Sequence, residues 1–307
     1  MRVGMVGLGR MGASMTVRLV EGGHELVVFD LDPKAVASAV DQGATAATSL
    51  ADLAGRLDAP RVVWLMLPAG DVTQGTLDEL VELLSEGDVV VDGGNSRYTD
   101  TLGRADALEA RGIALVDCGT SGGIWGLKNG YCLMVGGAKE TVQTLEPLFA
   151  TLAPENGYAH VGPTGAGHFV KMVHNGIEYG LMQAYGEGFE LLQKNDEFEL
   201  DLAQIAEVWR HGSVVRSWLL DLVASALEKN PDLEGVSDYV EDSGEGRWTL
   251  DAAIAQSIPM PSLALALFTR FASRQDELFA GKLIAALRQE FGGHALHATE
   301  VRAKTDE

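Results

Sequence analysis

The sequence predicts an α/β, Rossmann-type doubly wound N-terminal domain followed by an all-α C-terminal domain. Three observations predict it. Short β-branched runs alternate with amphipathic stretches through the first half of the chain. A glycine loop, Gly7-Leu8-Gly9-Arg10-Met11-Gly12, follows the first such run and opens the first amphipathic stretch. The punctuated segment Gly162-Pro163-Thr164-Gly165 ends the alternation, and every periodic stretch beyond it is helical. The expected division is residues 1–164 for a dinucleotide-binding domain and 165–307 for a helical substrate-binding and oligomerisation domain.

Strands are expected at Arg2–Val6, Glu25–Asp30, Val62–Leu67, Val89–Asp92, Ala114–Asp117, Tyr131–Val135 and Tyr158–Val161. Helices fit between them at about 10–21, 33–41, 71–85, 97–111 and 138–152. Alternation of this kind builds a mostly parallel sheet with helices on both faces. Further helices are expected around 166–194, 201–210, 214–229, 249–256, 261–275 and 277–291.

Composition excludes several classes. Hydrophobic residues make up 46% of the 307 positions, enough to bury a core, and no apolar run is long enough to cross a membrane. Met1-Arg2-Val3-Gly4 runs straight into a strand, so no signal peptide and a cytoplasmic location are expected. Cys118 and Cys132 are too few for a disulfide framework and read as small core residues. No Cys/His cluster has metal-ligand spacing, so no metal is expected. The net charge of −21 argues against nucleic acid or an anionic membrane as partner. The acid is spread along the chain, either as a surface adapted to high salt or as that of a merely acidic protein.

The glycine loop has the context that a dinucleotide site needs. Gly7 allows the tight turn, Gly9 lets a pyrophosphate approach the backbone, and Gly12 lets helix and strand pack closely. The helix N-terminus then faces the pyrophosphate. Asp30 closes the second strand, where a carboxylate accepts from ribose hydroxyls and repels a 2′-phosphate, so NAD is favoured over NADP. No arginine follows it, and Lys34 is the one nearby residue that opposes this reading. Leu67, the last residue of the next expected strand, and Asn95, beyond the strand after it, complete the expected cofactor set with Leu8, Arg10 and Met11.

The segment Gly167-His168-Phe169-Val170-Lys171-Met172-Val173-His174-Asn175-Gly176-Ile177-Glu178-Tyr179-Gly180 carries the chemistry. At roughly 100° per residue, Lys171, His174, Asn175 and Glu178 share an arc of about 100°. Phe169, Val170, Val173, Ile177, Leu181 and Ala184 occupy the other side, which is expected to anchor the helix in a core. A base, an acid and two hydrogen-bonding groups on one rigid face suit proton transfer. Lysine acts as a base near neutral pH only if burial or a neighbouring cation lowers its pKa, and a nearby carboxylate raises it. The sequence leaves open which wins. Two strand ends supply further groups: Asp92-Gly93-Gly94-Asn95-Ser96, and Asp117-Cys118-Gly119-Thr120-Ser121-Gly122-Gly123, whose glycines expose amides able to cradle a carboxylate.

These blocks, in this order, resemble the decarboxylating 6-phosphogluconate dehydrogenase family, in its short, NAD-linked form, over nearly the whole chain. The resemblance implies oxidation and decarboxylation of an anionic phosphorylated sugar acid, with Lys171 as general base and Glu178 as the acid that protonates the enediol. It implies that Asn95, Ser121, Gly122, Gly123, His174 and Asn175 hold the substrate carboxylate and hydroxyls, and that Tyr179 and Arg270 contact the phosphate. It implies a homodimer or homotetramer in which Arg288 and His294 reach the partner's site. The family's long form carries phosphate-binding lysine and threonine in a glycine-rich turn, where this chain has Ser243 and Glu245 before Arg247-Trp248-Thr249. The competing readings are a β-hydroxyacid dehydrogenase that releases no CO2, and a non-catalytic NAD-binding protein.

Overall fold

The computed structural model describes residues 1–293, 295 and 296. Its first compact unit comprises Met1–Glu178 together with Glu245–Ser257. Eight strands form one sheet in the order β3-β2-β1-β4-β5-β6-β7-β8. They are β1 (Arg2–Val6), β2 (Glu25–Phe29), β3 (Thr45–Ala46), β4 (Val62–Leu65), β5 (Val89–Asp92), β6 (Ala114–Ser121), β7 (Cys132–Gly136) and β8 (Tyr158–Gly162). All neighbouring pairs are parallel except β6 and β7, which pair Ser121 opposite Cys132. The helices among them are α1 (Arg10–Glu21), α2 (Pro33–Asp41), α3 (Leu50–Gly55), α4 (Asp71–Leu83), α5 (Tyr98–Glu109), α6 (Gly126–Asn129), α7 (Lys139–Thr144) and α8 (Glu146–Leu152).

Alternate residues of each strand feed two cores. Val3, Met5, Trp64, Val89 and Val91 pack on one face of the sheet. Val6, Val63, Leu65 and Val90 pack on the other. Burial on both faces makes the strands near-continuous apolar runs, as helix-covered parallel sheets require. Each such side chain contributes roughly 1.5–3 kcal/mol on leaving water.

Local chemistry sets the helix starts. Asp32 caps α2 by accepting from the Lys34 amide, and Ser49 caps α3 by accepting from Asp52. Two elements escape the pattern reading: β3, with two residues, and α3, with six, are too short to carry a period. The single helix expected over 138–152 is instead two, broken at Leu145 just ahead of Pro147, which cannot donate a helical hydrogen bond.

The helix α9 (Ala166–Gln193) follows β8 and contributes to both units. Its start is held by Asp117 of β6, whose carboxylate accepts from the Gly165 amide at 2.7 Å and the His168 amide at 2.8 Å. An anion at this helix end satisfies orphan donors and matches the dipole. The helix α12 (Glu245–Ala255) returns to the first unit, where the Thr249 hydroxyl lies 2.9 Å from the Met172 carbonyl oxygen.

The second unit comprises Tyr179–Gly244 and the described residues from Ile258 onward. It contains α10 (Leu202–Arg210), α11 (Trp218–Lys229), α13 (Pro261–Ser273) and α14 (Phe279–Gly292). Phe189, Ala206, Leu220, Ala224 and Leu227 form its core. Asp201 and Ser217 cap α10 and α11. Among the described residues no strand lies beyond Gly162. The compact units divide within α9 and around α12, whereas the last strand ends at Gly162 and α9 begins at Ala166.

Two expectations are corrected. Cys132 is exposed, at the first position of β7, while Cys118 is buried as expected. The facing of α9 is only partly that expected: Phe169 and Val173 are half-buried, as are His174 and Glu178. Lys171 and Asn175 are buried at 7% and 9% exposure, while Val170, Ile177 and Leu181 are 37%, 51% and 42% exposed. The reason is a glycine contact. A Cβ built on Gly167 would meet the carbonyl oxygens of Asp117 and Met134 at 2.5 Å, and one on Gly119 would meet the Lys171 Cβ at 2.4 Å. Glycines on both partners let the polar side of α9 lie directly on β6 and β7, so a stripe count alone misassigns the inward face.

Candidate active site

The nucleotide loop joins β1 to α1. Gly7 has φ +94°, and a Cβ there would meet the Met66 carbonyl oxygen at 2.4 Å. A Cβ on Gly12 would meet the Gly7 carbonyl oxygen at 2.0 Å, so only glycine fits. At Gly9 an added Cβ meets nothing of the chain. The space over Gly9 is open, as the close approach of a pyrophosphate would need. Gly9 and Arg10 are exposed, Met11 is half-buried and Leu8 is buried. The first turn of α1 carries no acidic side chain, which leaves its amides to an anion. Leu67 packs beside the loop, its Cδ2 placed 2.9 Å from a Cβ built on Gly7.

Asp30 follows β2. Its carboxylate accepts from the Leu8 amide at 2.6 Å and from the Asp32 amide at 2.8 Å. Both bonds hold it against the loop, and a carboxylate has further lone pairs for two ribose hydroxyls. A 2′-phosphate would meet this fixed negative charge. The chain thus fits NAD: a glycine cradle, an unopposed helix N-terminus and an oriented acid.

The strand ends of β5 and β6 face the same side of the sheet. Asp92 is fully buried and accepts from the Gly94 amide, the Ser96 hydroxyl and Arg104 at 3.1, 2.8 and 3.3 Å. This network shapes the turn that presents Asn95. Gly122 and Gly123 have φ values of +138° and +51°, conformations that suit only glycine here. The Ser121 Oγ lies 3.4 Å from His174 Nε2.

On α9 the reactive groups converge. Lys171 Nζ donates to Asn175 Oδ1 at 2.6 Å and lies 3.5 Å from His174 Nδ1. His174 Nδ1 is 3.1 Å from Asn175 Oδ1 and 3.9 Å from Glu178 Oε2. The Nδ1–H tautomer satisfies the geometry, donating to Asn175 and accepting from Ser121 at Nε2. Burial pushes the Lys171 ammonium below the ordinary lysine range, against the raising influence of Glu178, Glu245 and Cys132. Desolvation thus wins the contest that the sequence leaves open, and a neutral amine becomes accessible nearer to neutral pH.

One residue of this cluster was not expected in it. Glu245, which the sequence comparison places among lost phosphate ligands, is only 2% exposed and accepts a hydrogen bond from the Asn95 amide nitrogen. No local signal identifies it, because its partner lies 150 residues earlier.

The other expected residues belong to the second unit. Tyr179 is buried, and the Arg270 guanidinium stacks on its ring at 3.6 Å. The Tyr179 hydroxyl accepts from the Ser243 amide at 3.3 Å. Arg270 also donates to the Glu241 carbonyl oxygen at 2.8 Å. Arg288 is exposed on α14, and His294 lies outside the described residues.

Comparison with known proteins is consistent along the whole chain. Residues 2–162 match the family described as the NAD binding domain of 6-phosphogluconate dehydrogenase, and residues 167–280 match the C-terminal domain of that enzyme. An NAD(+)-dependent, decarboxylating 6-phosphogluconate dehydrogenase of Haloferax volcanii is 47% identical over 308 aligned residues, covering 100% of both chains. A Bacillus subtilis enzyme of the same description is 33% identical over 94% of this chain, which spans 65% of that relative's length. In fold, the structure of Plasmodium falciparum 6-phosphogluconate dehydrogenase superposes with a TM-score of 0.83 at 24% identity, covering 98% of this chain and 67% of that one.

Proposed function

The chain belongs to the 6-phosphogluconate dehydrogenase family, and from that premise we propose that it oxidises 6-phosphogluconate with NAD and decarboxylates the product to ribulose 5-phosphate and CO2. The observation that carries the reading is Lys171: a buried lysine with lowered pKa, held by Asn175, with Glu178 on the same helix.

NAD, held by the Gly7–Gly12 loop and Asp30, supplies the hydride acceptor. Neutral Lys171 takes the proton of the substrate 3-hydroxyl as that carbon becomes a ketone. The carboxylate is then β to a ketone, and the electrons released with CO2 move onto the ketone oxygen. Protonated Lys171 donates to that oxygen and stabilises its developing charge. Glu178, about 40% exposed and so able to regain a proton from water, protonates the carbon that lost CO2. His174, Asn175, Ser121 and the Gly122–Gly123 amides orient the carboxylate and hydroxyls.

The test is NADH formation and CO2 release on 6-phosphogluconate in molar KCl, with NAD and NADP compared directly. Equimolar NADH and CO2 is the expected result. Cofactor reduction without CO2 would move the chain to the non-decarboxylating β-hydroxyacid dehydrogenases.

Three finer readings accompany this one. Tyr179, Arg270 and Arg288 bind the phosphate, in place of the residues that Ser243 and Glu245 replace. The enzyme is a homo-oligomer of the cytoplasm, which accounts for Phe279, Leu283, Ile284 and Leu287 standing exposed along one side of α14. A monomeric mass at micromolar concentration by light scattering would remove that reading. The chain, with 44 acidic against 23 basic residues, has a surface adapted to high salt. Undiminished stability at about 0.1 M KCl would remove it.

A further inference from the structure

We propose that Glu245 is a positioning residue for the oxidation step, acting by fixing the side-chain amide of Asn95. This inference rests on the reaction proposed above.

Three observations support it. Glu245 opens α12 and is buried at 2% exposure, although a buried carboxylate is costly unless it is hydrogen-bonded. Its Oε1 accepts from Asn95 Nδ2, so it engages a strand-end residue expected to meet both cofactor and substrate. The helix that carries it is tied to the catalytic helix one residue beyond Lys171, where the Thr249 hydroxyl meets both the Met172 carbonyl oxygen, at 2.9 Å, and that of Glu245 itself, at 2.7 Å. The α12 N-terminus therefore links the β5 turn to α9 at the two places that the reaction uses.

The donor inventory says what this link does. An asparagine amide has two N–H donors and one carbonyl acceptor. With one N–H given to Glu245, the rotation of the amide is set, and the second N–H and Oδ1 remain for the reacting molecules. A carboxylate commits the amide this way round because it can only accept. Its place at the start of α12 sets the carboxylate against the β5 turn. The charge also lies within electrostatic range of Lys171, where it favours the protonated amine. The other groups that act on Lys171 are His174, Asn175 and Glu178 on its own helix and Cys132 on β7. Asn95 is thus held by a residue that belongs to a distant part of the chain, not by its own turn.

The test is a double-mutant cycle on the full chain: wild type, Glu245→Gln, Asn95→Ala and the double variant. Each is assayed for kcat and KM on 6-phosphogluconate and for NAD affinity by protein fluorescence, with thermal unfolding as the folding control. Gln offers an amide that can turn either way, so Glu245→Gln should lower kcat about tenfold or more, with NAD affinity within about twofold of wild type. The double variant should be no slower than Asn95→Ala, because Glu245 acts through Asn95. Additive losses, or Glu245→Gln within about twofold of wild type, would overturn the proposal. If Glu245→Gln does not fold, Glu245→Asp replaces it in the cycle with the same expectation, since it keeps the charge but withdraws from Asn95. A wild type that does not turn over 6-phosphogluconate would fail the functional reading and this inference together. An active wild type with an indifferent Glu245 would fail this inference alone.

Discussion

Replacing Gly119 by alanine adds one methyl group to β6, directly against the stem of Lys171. That methyl carbon would stand 2.4 Å from the Lys171 Cβ and 2.7 Å from the Gly167 carbonyl oxygen. Neither neighbour is the free end of a flexible side chain, so neither can swing aside. Ordinary contact begins near 3.4 Å, so Lys171 and the first turn of α9 must withdraw by about 1 Å. Overpacking of this kind costs about 1–3 kcal/mol, less than the roughly 5–15 kcal/mol that holds a typical domain folded. The variant should fold and lose roughly 2–4 °C of Tm for each kcal/mol. The catalytic loss should be larger, since a displacement of about 1 Å at a reacting group costs up to about a hundredfold in rate. The glycine loop lies elsewhere in the unit, so NAD affinity should hold. The assay is kcat on 6-phosphogluconate beside NAD affinity and a melting curve. A Tm that falls while kcat stays within about twofold of wild type would refute the reasoning. It would mean that the contact of α9 with the sheet supports the fold without setting the position of Lys171.

Three further outcomes are expected. Lys171→Ala should abolish oxidation while leaving NAD binding intact, and turnover comparable to wild type would remove Lys171 as the base. In the wild type, kcat/KM should rise as Lys171 loses its proton. Because burial lowers that pKa, the midpoint should fall below the ordinary lysine value, with activity lost as pH drops through it. A midpoint at or above that value would contradict the desolvation argument. Asp30→Ala should weaken NAD binding by about 10- to 100-fold, the worth of charge-assisted hydrogen bonds, and narrow the preference over NADP. Unchanged binding in a titration would show that Asp30 serves only to brace Leu8 and Asp32.

Much of this architecture was legible because the relevant signals are local. The spacing of Gly7, Gly9 and Gly12 and the position of Asp30 at a strand end are dictated within one βαβ unit. Lys171, His174, Asn175 and Glu178 share a face because helical geometry requires it, and the structure brings the first three within hydrogen-bonding range. The facing of that helix was only partly legible. Its apolar stripe is real, but glycines at 119, 136 and 167 allow a closer contact on the opposite side. Their significance appears only when sheet and helix are brought together. Glu245 reads in the sequence as a departure from the family's long form and not as a neighbour of Asn95, since nothing near either residue encodes a contact across the intervening chain.

The return of α12 has a consequence for the order in which the enzyme is made. The chain leaves the first unit at Glu178 and rejoins it at Glu245. During synthesis the sheet, the glycine loop and Lys171 all emerge before the residue that engages Asn95. The nucleotide half can therefore assemble early on local contacts, while Asn95 waits for a partner encoded after the whole of the intervening Tyr179–Gly244 segment. A nascent chain halted between Lys171 and Glu245 would carry the loop for NAD and the lysine, yet lack the carboxylate that holds the Asn95 amide.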